Sequence, residues 1–263
     1  MTSDDRPWET GATEDERWEG YLIPGTHILR NLSPRPLQSV AALRAFEDSH
    51  VRSRLIELRM EPIEGNYDTE HWRAIHRHLF QDVYAWAGDL RTVNISKGKF
   101  FVAPEHIRGA VDDMARALAE ENHLKQLSPL RFADRLTDYY HYLNTVHPGR
   151  EGNGRTQRAF WDELARNAGH RIDWRSGMFQ ERNDAASLEA RVNDNIEPLR
   201  EMMRECVVST PQWAARQQAI AAARLAAADS TGRASGAGTP QAGAQNPHLT
   251  SQYRGPQDPG RGY

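Results

Sequence analysis

From His147 to Arg158 the chain reads His-Pro-Gly-Arg-Glu-Gly-Asn-Gly-Arg-Thr-Gln-Arg. The apolar stripe before this run points to a helix ending near Val146, and a new helix is expected to begin near Asn153. Three glycines fall between the two or at the new start. Glycine lets backbone N–H groups approach a ligand closely. A helix N-terminus adds unpaired N–H donors at the positive end of its dipole. Gly152, Asn153 and Gly154 therefore read as an anion cradle suited to phosphates. Arg155 and Arg158, one turn apart, can reach the same anion. Glu151 is a hard oxygen ligand placed to hold Mg2+ on those phosphates, and His147 is a titratable base on the other lip of the loop. These are the parts that phosphoryl or nucleotidyl transfer needs. Each also has a plainer explanation when taken alone, because a GNG run makes a turn and a histidine at a helix end makes a cap. It is not a Walker loop, since G-x-x-x-x-G-K-[ST] does not occur. Two influences oppose each other at His147: the helix end favours imidazolium, while Arg150 and Arg155 favour the neutral ring.

Helical periodicity dominates the elements that must hold this run. Trp72, Ile75, Leu79, Val83 and Trp86 recur every three or four residues, with Asp68 or Thr69 as cap and Gly88 as stop. Ile107, Val111, Met114 and Leu118 form a second stripe after Pro104. Phe132, Leu136, Tyr140, Leu143 and His147 form a third, capped by Ser128 with Pro129 in the first turn. A fourth helix should bury Phe160 and Leu164 and stop at Gly169. A fifth is expected from about Asn183 to Val207, kinked or split by Pro198. The exception is Thr92 to Ala103, β-branched and aromatic around Lys97-Gly98-Lys99, which reads as a short exposed hairpin. The expected class is all-α, a helical bundle with a β-hairpin flap at about residues 92–103. The segment Tyr21 to Leu32, turning at Pro24-Gly25, reads as irregular.

The chain has 263 residues, with 33 Lys+Arg against 36 Asp+Glu and a formal net charge of -3. This balance provides no basic field for direct nucleic-acid binding or for an anionic membrane surface. The single cysteine, Cys206, excludes an intramolecular disulfide and a cysteine-built zinc site. The N-terminus lacks an apolar core and no window approaches 18 apolar residues, so neither a secretory signal nor a membrane span is expected. A reducing, cytoplasmic location follows as the expectation. The mean hydropathy of -0.76 is low for one compact globule. Residues 229–263 hold seven Gly and four Pro in 35 and are expected to be disordered. Residues 211–228 are Ala-rich and helix-prone. Residues 1–208, with an irregular lead-in over 1–40, suit one domain.

The run resembles the Fic family motif, His-x-Phe-x-Asp/Glu-Gly-Asn-Gly-Arg-x-x-Arg, at all but one of its specified positions. The resemblance extends over roughly residues 18–206. Tyr21-Leu22-Ile23-Pro24-Gly25-Thr26 looks like the family's N-terminal segment, Ile75 to Gly88 like its long helix, and Arg91 to Gly98 like its flap. It implies a bacterial protein that transfers AMP from ATP, with Mg2+, to a Tyr, Thr or Ser hydroxyl of a target protein. His147 would then be the general base and Glu151 the Mg2+ ligand. Gly152, Asn153 and Gly154 would line the anion hole, and Arg155 and Arg158 would bind the β- and γ-phosphates. The flap residues Ile95, Ser96, Lys97, Gly98, Phe100 and Val102 would clamp the target by strand-like pairing. In the Doc-like branch, which phosphorylates its target, Ala and Lys replace the two glycines. Gly152 and Gly154 match the adenylylating branch.

Gly149 departs from the motif, which has Phe there. Loss of a buried Phe typically costs about 3–5 kcal/mol, so the expectation is a loosened loop or compensation by a neighbouring aromatic. Relatives are restrained by a Ser/Thr-x-x-x-Glu-Gly/Asn helix whose Glu pairs with the counterpart of Arg155. Glu19-Gly20 and Glu64-Gly65 are the candidates here, but Asp15 and Met60 occupy the Ser/Thr position. The resemblance then implies a toxin controlled by a separate small antitoxin that carries such a helix, with DNA gyrase or topoisomerase IV as typical targets. Delivery as a secretion-system effector is the other destination considered. His71, His76 and His78 do not fall on one helical face and read as packing rather than metal ligands. A Doc-like kinase and a binding module disabled by Gly149 are the competing readings.

Overall fold

The computed structural model of the chain describes residues 6–37, 39–174 and 179–234. Residues 1–215 form one compact unit and 216–263 a second. Within the first, short helices α1 (Pro7–Thr10) and α2 (Glu14–Gly20) lead to α3 (Val40–Met60). Next come α4 (Thr69–Phe80), the ribbon β1 (Ser96–Lys97) and β2 (Lys99–Phe100), α5 (Ile107–Glu120) and α6 (Pro129–Val146). Then follow α7 (Asn153–Asn167), β3 (His170–Ile172), α8 (Phe179–Val192), α9 (Glu197–Cys206), β4 (Val207–Ser209) and α10 (Thr210–Ala234).

The capping signals act as their chemistry requires. Asp68 accepts from His71 N at the start of α4, and Ser128 accepts from Arg131 N at the start of α6, with Pro129 in the first turn. Helix α6 is central: it packs against α5, α7, α8 and α9, while α4 packs against α3 and α7. Ile75, Leu79, Phe132, Leu136, Phe160, Leu164 and Leu199 are fully buried at these contacts. Each large apolar side chain buried this way is worth about 1.5–3 kcal/mol before entropy is charged against it.

The pattern from Trp72 to Trp86 is not one helix. Helix α4 ends at Phe80, and the chain continues in turns in which Val83 N bonds to Phe80 O and Ala87 N to Tyr84 O. Side chains of α4 fasten those turns. Arg73 Nε donates to Gly88 O at 2.7 Å, and Gly88 N donates to His76 Nδ1 at 2.8 Å. Val83 and Trp86 therefore stay buried although helix period has ended. Pro198 does split the fifth helix, into α8 and α9 across residues 193–196. The lead-in is more ordered than its sequence suggested. Helix α2 begins with a capping box between Thr13 and Glu16, and α3 is a 21-residue helix capped by Ser39. The two-strand pairing of β3 with β4 was also not anticipated, since each strand has three residues. Helix α10 runs to Ala234, beyond the expected end at 228. The rest of the expected disordered tail, 235–263, lies outside the described residues.

Candidate active site

Helix α6 ends where His147 takes a left-handed backbone, φ 52°, and α7 begins after Gly152, φ 80°. Only glycine suits position 152: a Cβ there would lie 2.4 Å from the Phe80 ring. Asn153 is buried, and its side chain closes the loop. Its Oδ1 accepts from Gly149 N at 2.7 Å and its Nδ2 donates to Gly149 O at 2.8 Å. That amide is therefore spent on the loop rather than on an anion. Gly152 N–H is also taken, donating to Glu151 Oε1 at 2.8 Å. Among the described residues the N–H groups of Asn153, Gly154 and Arg155 have no partner, and they form the unsatisfied start of α7.

His147 Nδ1 lies 3.2 Å from Asn144 O. A carbonyl can only accept, so Nδ1 carries the proton and Nε2 keeps its lone pair. Burial pushes this imidazole down to about 3, with Arg91, Arg191 and Lys97 acting in the same direction and the Asn144 carbonyl opposing. The neutral ring wins, and the cations responsible are not the Arg150 and Arg155 suggested by the sequence. Phe101 stacks on the imidazole with centroids 4.0 Å apart.

The fully buried Arg91 joins this base to the flap. Its guanidinium donates to His147 O at 2.9 Å, Val146 O at 3.2 Å and Val93 O at 2.8 Å, and also to Val102 O. One side chain thus binds both arms of the flap to the end of α6. The flap ladder is shorter than residues 92–103: Ser96 faces Phe100 and Lys97 faces Lys99 around Gly98. Residues 96–100 are exposed, whereas Ile95 and Val102 are half-buried and Val102 N is occupied by Thr145 O. Arg191 of α8 donates to Lys97 O and lies 4.1 Å above the Phe101 ring.

The two arginines of α7 differ. Arg155 pairs with Glu47 of α3, lies 3.5 Å from both Asp48 and Glu151, and sits 4.9 Å from the Phe80 ring centroid. Tyr84 donates to the other Glu47 oxygen at 2.7 Å. Burial raises the Glu47 carboxyl, and Arg155 opposes that rise. The chain therefore supplies its own carboxylate to Arg155 even though no Ser/Thr-x-x-x-Glu-Gly/Asn sequence is present. Leu43 stands four residues before Glu47 and Asp48 follows it. Arg158, by contrast, is half-buried and makes no hydrogen bond or ion pair among the described residues. Desolvation lowers its pKa. Partial desolvation of an unpaired guanidinium is unfavourable, and an incoming anion would offset it.

Among the described residues no group of three or more His, Cys, Asp or Glu could hold a metal alone. A Mg2+ ion carried largely by phosphate oxygens and water needs only one or two protein carboxylates. Glu151 is half-buried beside the free N–H groups with one oxygen engaged, and it fits that requirement. The three α4 histidines act in packing: His71 meets Glu163 at 3.0 Å, His76 bonds Glu151 O at 3.0 Å, and His78 bonds Arg54 O at 3.1 Å.

Gly149 does not leave an open hole. A Cβ there would lie 3.0 Å from Trp72 Cη2 and 3.3 Å from His76 Nε2, so α4 already occupies the space. Sequence reasoning missed Glu47, Arg91 and Arg191 as parts of the site. The one available signal was Glu47, a carboxylate in the stripe Leu43, Glu47, Val51 and Leu58, where apolar residues are expected.

The family described as Fic/DOC matches residues 66–165. A probable protein adenylyltransferase of Sinorhizobium fredii, y4lH, is 41% identical over 152 residues, which are 57% of this chain and 77% of that protein. Protein adenylyltransferase VbhT of Bartonella schoenbuchensis is 39% identical over 59% of this chain, and the match spans about a third (32%) of VbhT. The crystal structure of the VirB-translocated effector BepC from Bartonella tribocorum, with bound AMPPNP, superposes with a TM-score of 0.68 at 26% identity. It covers 73% of this chain and 98% of that one.

Proposed function

This chain belongs to the Fic/DOC family, and from that premise we propose that it is a protein adenylyltransferase, moving AMP from ATP to a Tyr, Thr or Ser hydroxyl of a target protein. The observation that carries the reading is the pairing of a neutral His147, bare at Nε2, with an unengaged helix start and an unpaired Arg158 on the same loop-and-helix unit. The triphosphate lies on the N–H groups of Asn153 to Arg155, with Arg158 taking an outer phosphate. Glu151 would hold Mg2+, which supplies charge neutralisation on the phosphates. His147 Nε2 accepts the hydroxyl proton as the oxygen forms its bond to the α-phosphorus. The bond from that phosphorus to the bridging oxygen breaks, and pyrophosphate leaves.

The target strand pairs along the exposed flap, Ser96 to Phe100, beside the base. As part of the same proposal the chain acts as a toxin on a bacterial protein such as a DNA gyrase or topoisomerase IV subunit. A separate small antitoxin with a Ser/Thr-x-x-x-Glu helix restrains it; because Glu47 already pairs with Arg155, its carboxylate goes to Arg158 rather than to the arginine that the resemblance implied. No helix among the described residues is long and apolar enough to cross a membrane. Action in the bacterial cytoplasm is proposed; the description of BepC as VirB-translocated supports secretion as the second destination.

The test is incubation of purified protein, Mg2+ and bacterial lysate with α-labelled or γ-labelled ATP. Label should pass to protein from the α-position only, and His147→Ala should lower the rate by about 10²–10⁴. Label from the γ-position would instead establish a kinase. Undiminished transfer by His147→Ala would remove the base from its role.

A further inference from the structure

We infer that Trp72 of α4 is the positioning residue that fixes the base-bearing loop, filling from below the space that a side chain at Gly149 would take; its link to catalysis rests on the adenylyltransferase reading. The backbone at Gly149 is not left-handed, so its conformation does not demand glycine. Space does: an added Cβ would stand 2.9 Å from Glu151 O and 3.0 Å from Trp72 Cη2. Trp72 is 1% exposed and stacks on His76, with centroids 4.9 Å apart and planes at 18°.

His76 carries the contact to the far side of the loop. Its Nδ1 accepts from Gly88 N, so Nε2 holds the proton and donates it to Glu151 O at 3.0 Å. The indole thus supports the loop at Gly149 directly and at Glu151 through His76. Phe80, one further turn along α4, lies under Gly152. Position 149 stands two residues from His147 and two from Glu151, so a displaced loop moves both. Helix α7 has separate anchors, among them Gln157 Nε2 to Tyr140 O at 2.6 Å, so nucleotide binding through α7 should persist. Trp72 therefore governs the transfer step more than affinity for ATP.

The experiment is a double-substitution cycle with Trp72→Leu, Gly149→Phe and both together, with Trp72→Phe as the conservative variant. The first readout, amide hydrogen exchange at residues 149–152, needs no activity. The second is AMP transfer from α-labelled ATP to lysate protein at limiting and saturating ATP. Trp72→Leu should speed exchange in the loop while α5 and α6 stay protected. It should lower transfer at saturating ATP by roughly 10- to 100-fold, with half-saturation by ATP changed by less than about 3-fold. Gly149→Phe alone should also impair both readouts. The pair together should recover protection and rate relative to either single change, and Trp72→Phe should keep most of both.

Unchanged loop exchange in Trp72→Leu, or a pair no better than its worse member, overturns the inference. Absence of transfer in the parent protein would defeat the adenylyltransferase reading, and the exchange cycle would still decide whether Trp72 holds the loop.

Discussion

Two turns flank His147, each built on a glycine with a left-handed backbone, and they sit in opposite surroundings. Gly152 has φ 80° and Gly98 has φ 84°. Behind Gly152 lies the Phe80 ring, 2.4 Å from any added Cβ, on a helix whose Trp72, His76 and Phe80 form a buried aromatic row. Behind Gly98, among the described residues, lie only the side-chain ends of Val192 and Leu188, at 3.1 and 3.3 Å from an added Cβ, and residues 96–100 are exposed. The loop that would hold the reacting groups is set against the core, where displacement costs packing. The flap that would meet a target protein has a four-residue ladder laid on the surface and held at its base by Arg91. On the adenylyltransferase reading, fixed chemistry and adaptable docking would come from one backbone conformation in two environments.

The same substitution at the two glycines should therefore give unequal results. Gly152→Ala adds a backbone penalty and a collision with Phe80, and should destabilise the protein by about 3 kcal/mol in urea unfolding while removing transfer. Adding Phe80→Leu should return the steric part of that loss and leave the backbone part. Gly98→Ala carries the backbone penalty and a tight contact with the movable side-chain ends of Val192 and Leu188, about 1–2 kcal/mol together, and should leave transfer measurable. Equal losses at the two sites would refute the contrast.

The smallest effect concerns pH. His147, held down to about 3, stays neutral in the folded protein between pH 7.5 and 5. Its protonation should then impose no acid limb on kcat/KM near the ordinary histidine value. The stability linked to this depressed group is complete above about pH 6.5 and falls as pH drops toward 3, because the unfolded chain takes the proton first. Rates measured per folded molecule, with unfolding followed at each pH, separate the two effects. An acid limb near 6.5 that disappears in a His147 variant would contradict the buried setting of the ring.

The signature run was legible because turn chemistry and helix starts are local. Gly152 opens α7, and the stripes of α4 to α7 follow 3.6-residue spacing. Helix α3 was less legible, since a carboxylate occupies its apolar row and its stripe is weak. The link from Arg155 to Glu47 spans more than 100 positions and carries no local sequence signal. The turns after Phe80 read as helix because i to i+3 bonds bury the same side chains that a continued helix would.

The sequence by itself determined the order of the helices from α4 onward and the glycine turns, and it offered His147, Glu151, Arg155 and Arg158 as the candidate base, carboxylate and arginines, because spacing and local backbone preference specify these. Tertiary structure alone decided which arginine is already paired, the burial that, aided by nearby cations, keeps His147 neutral, and what fills the space beside Gly149. Those outcomes depend on burial and on groups brought together from distant segments, and neither quantity exists until the helices have packed.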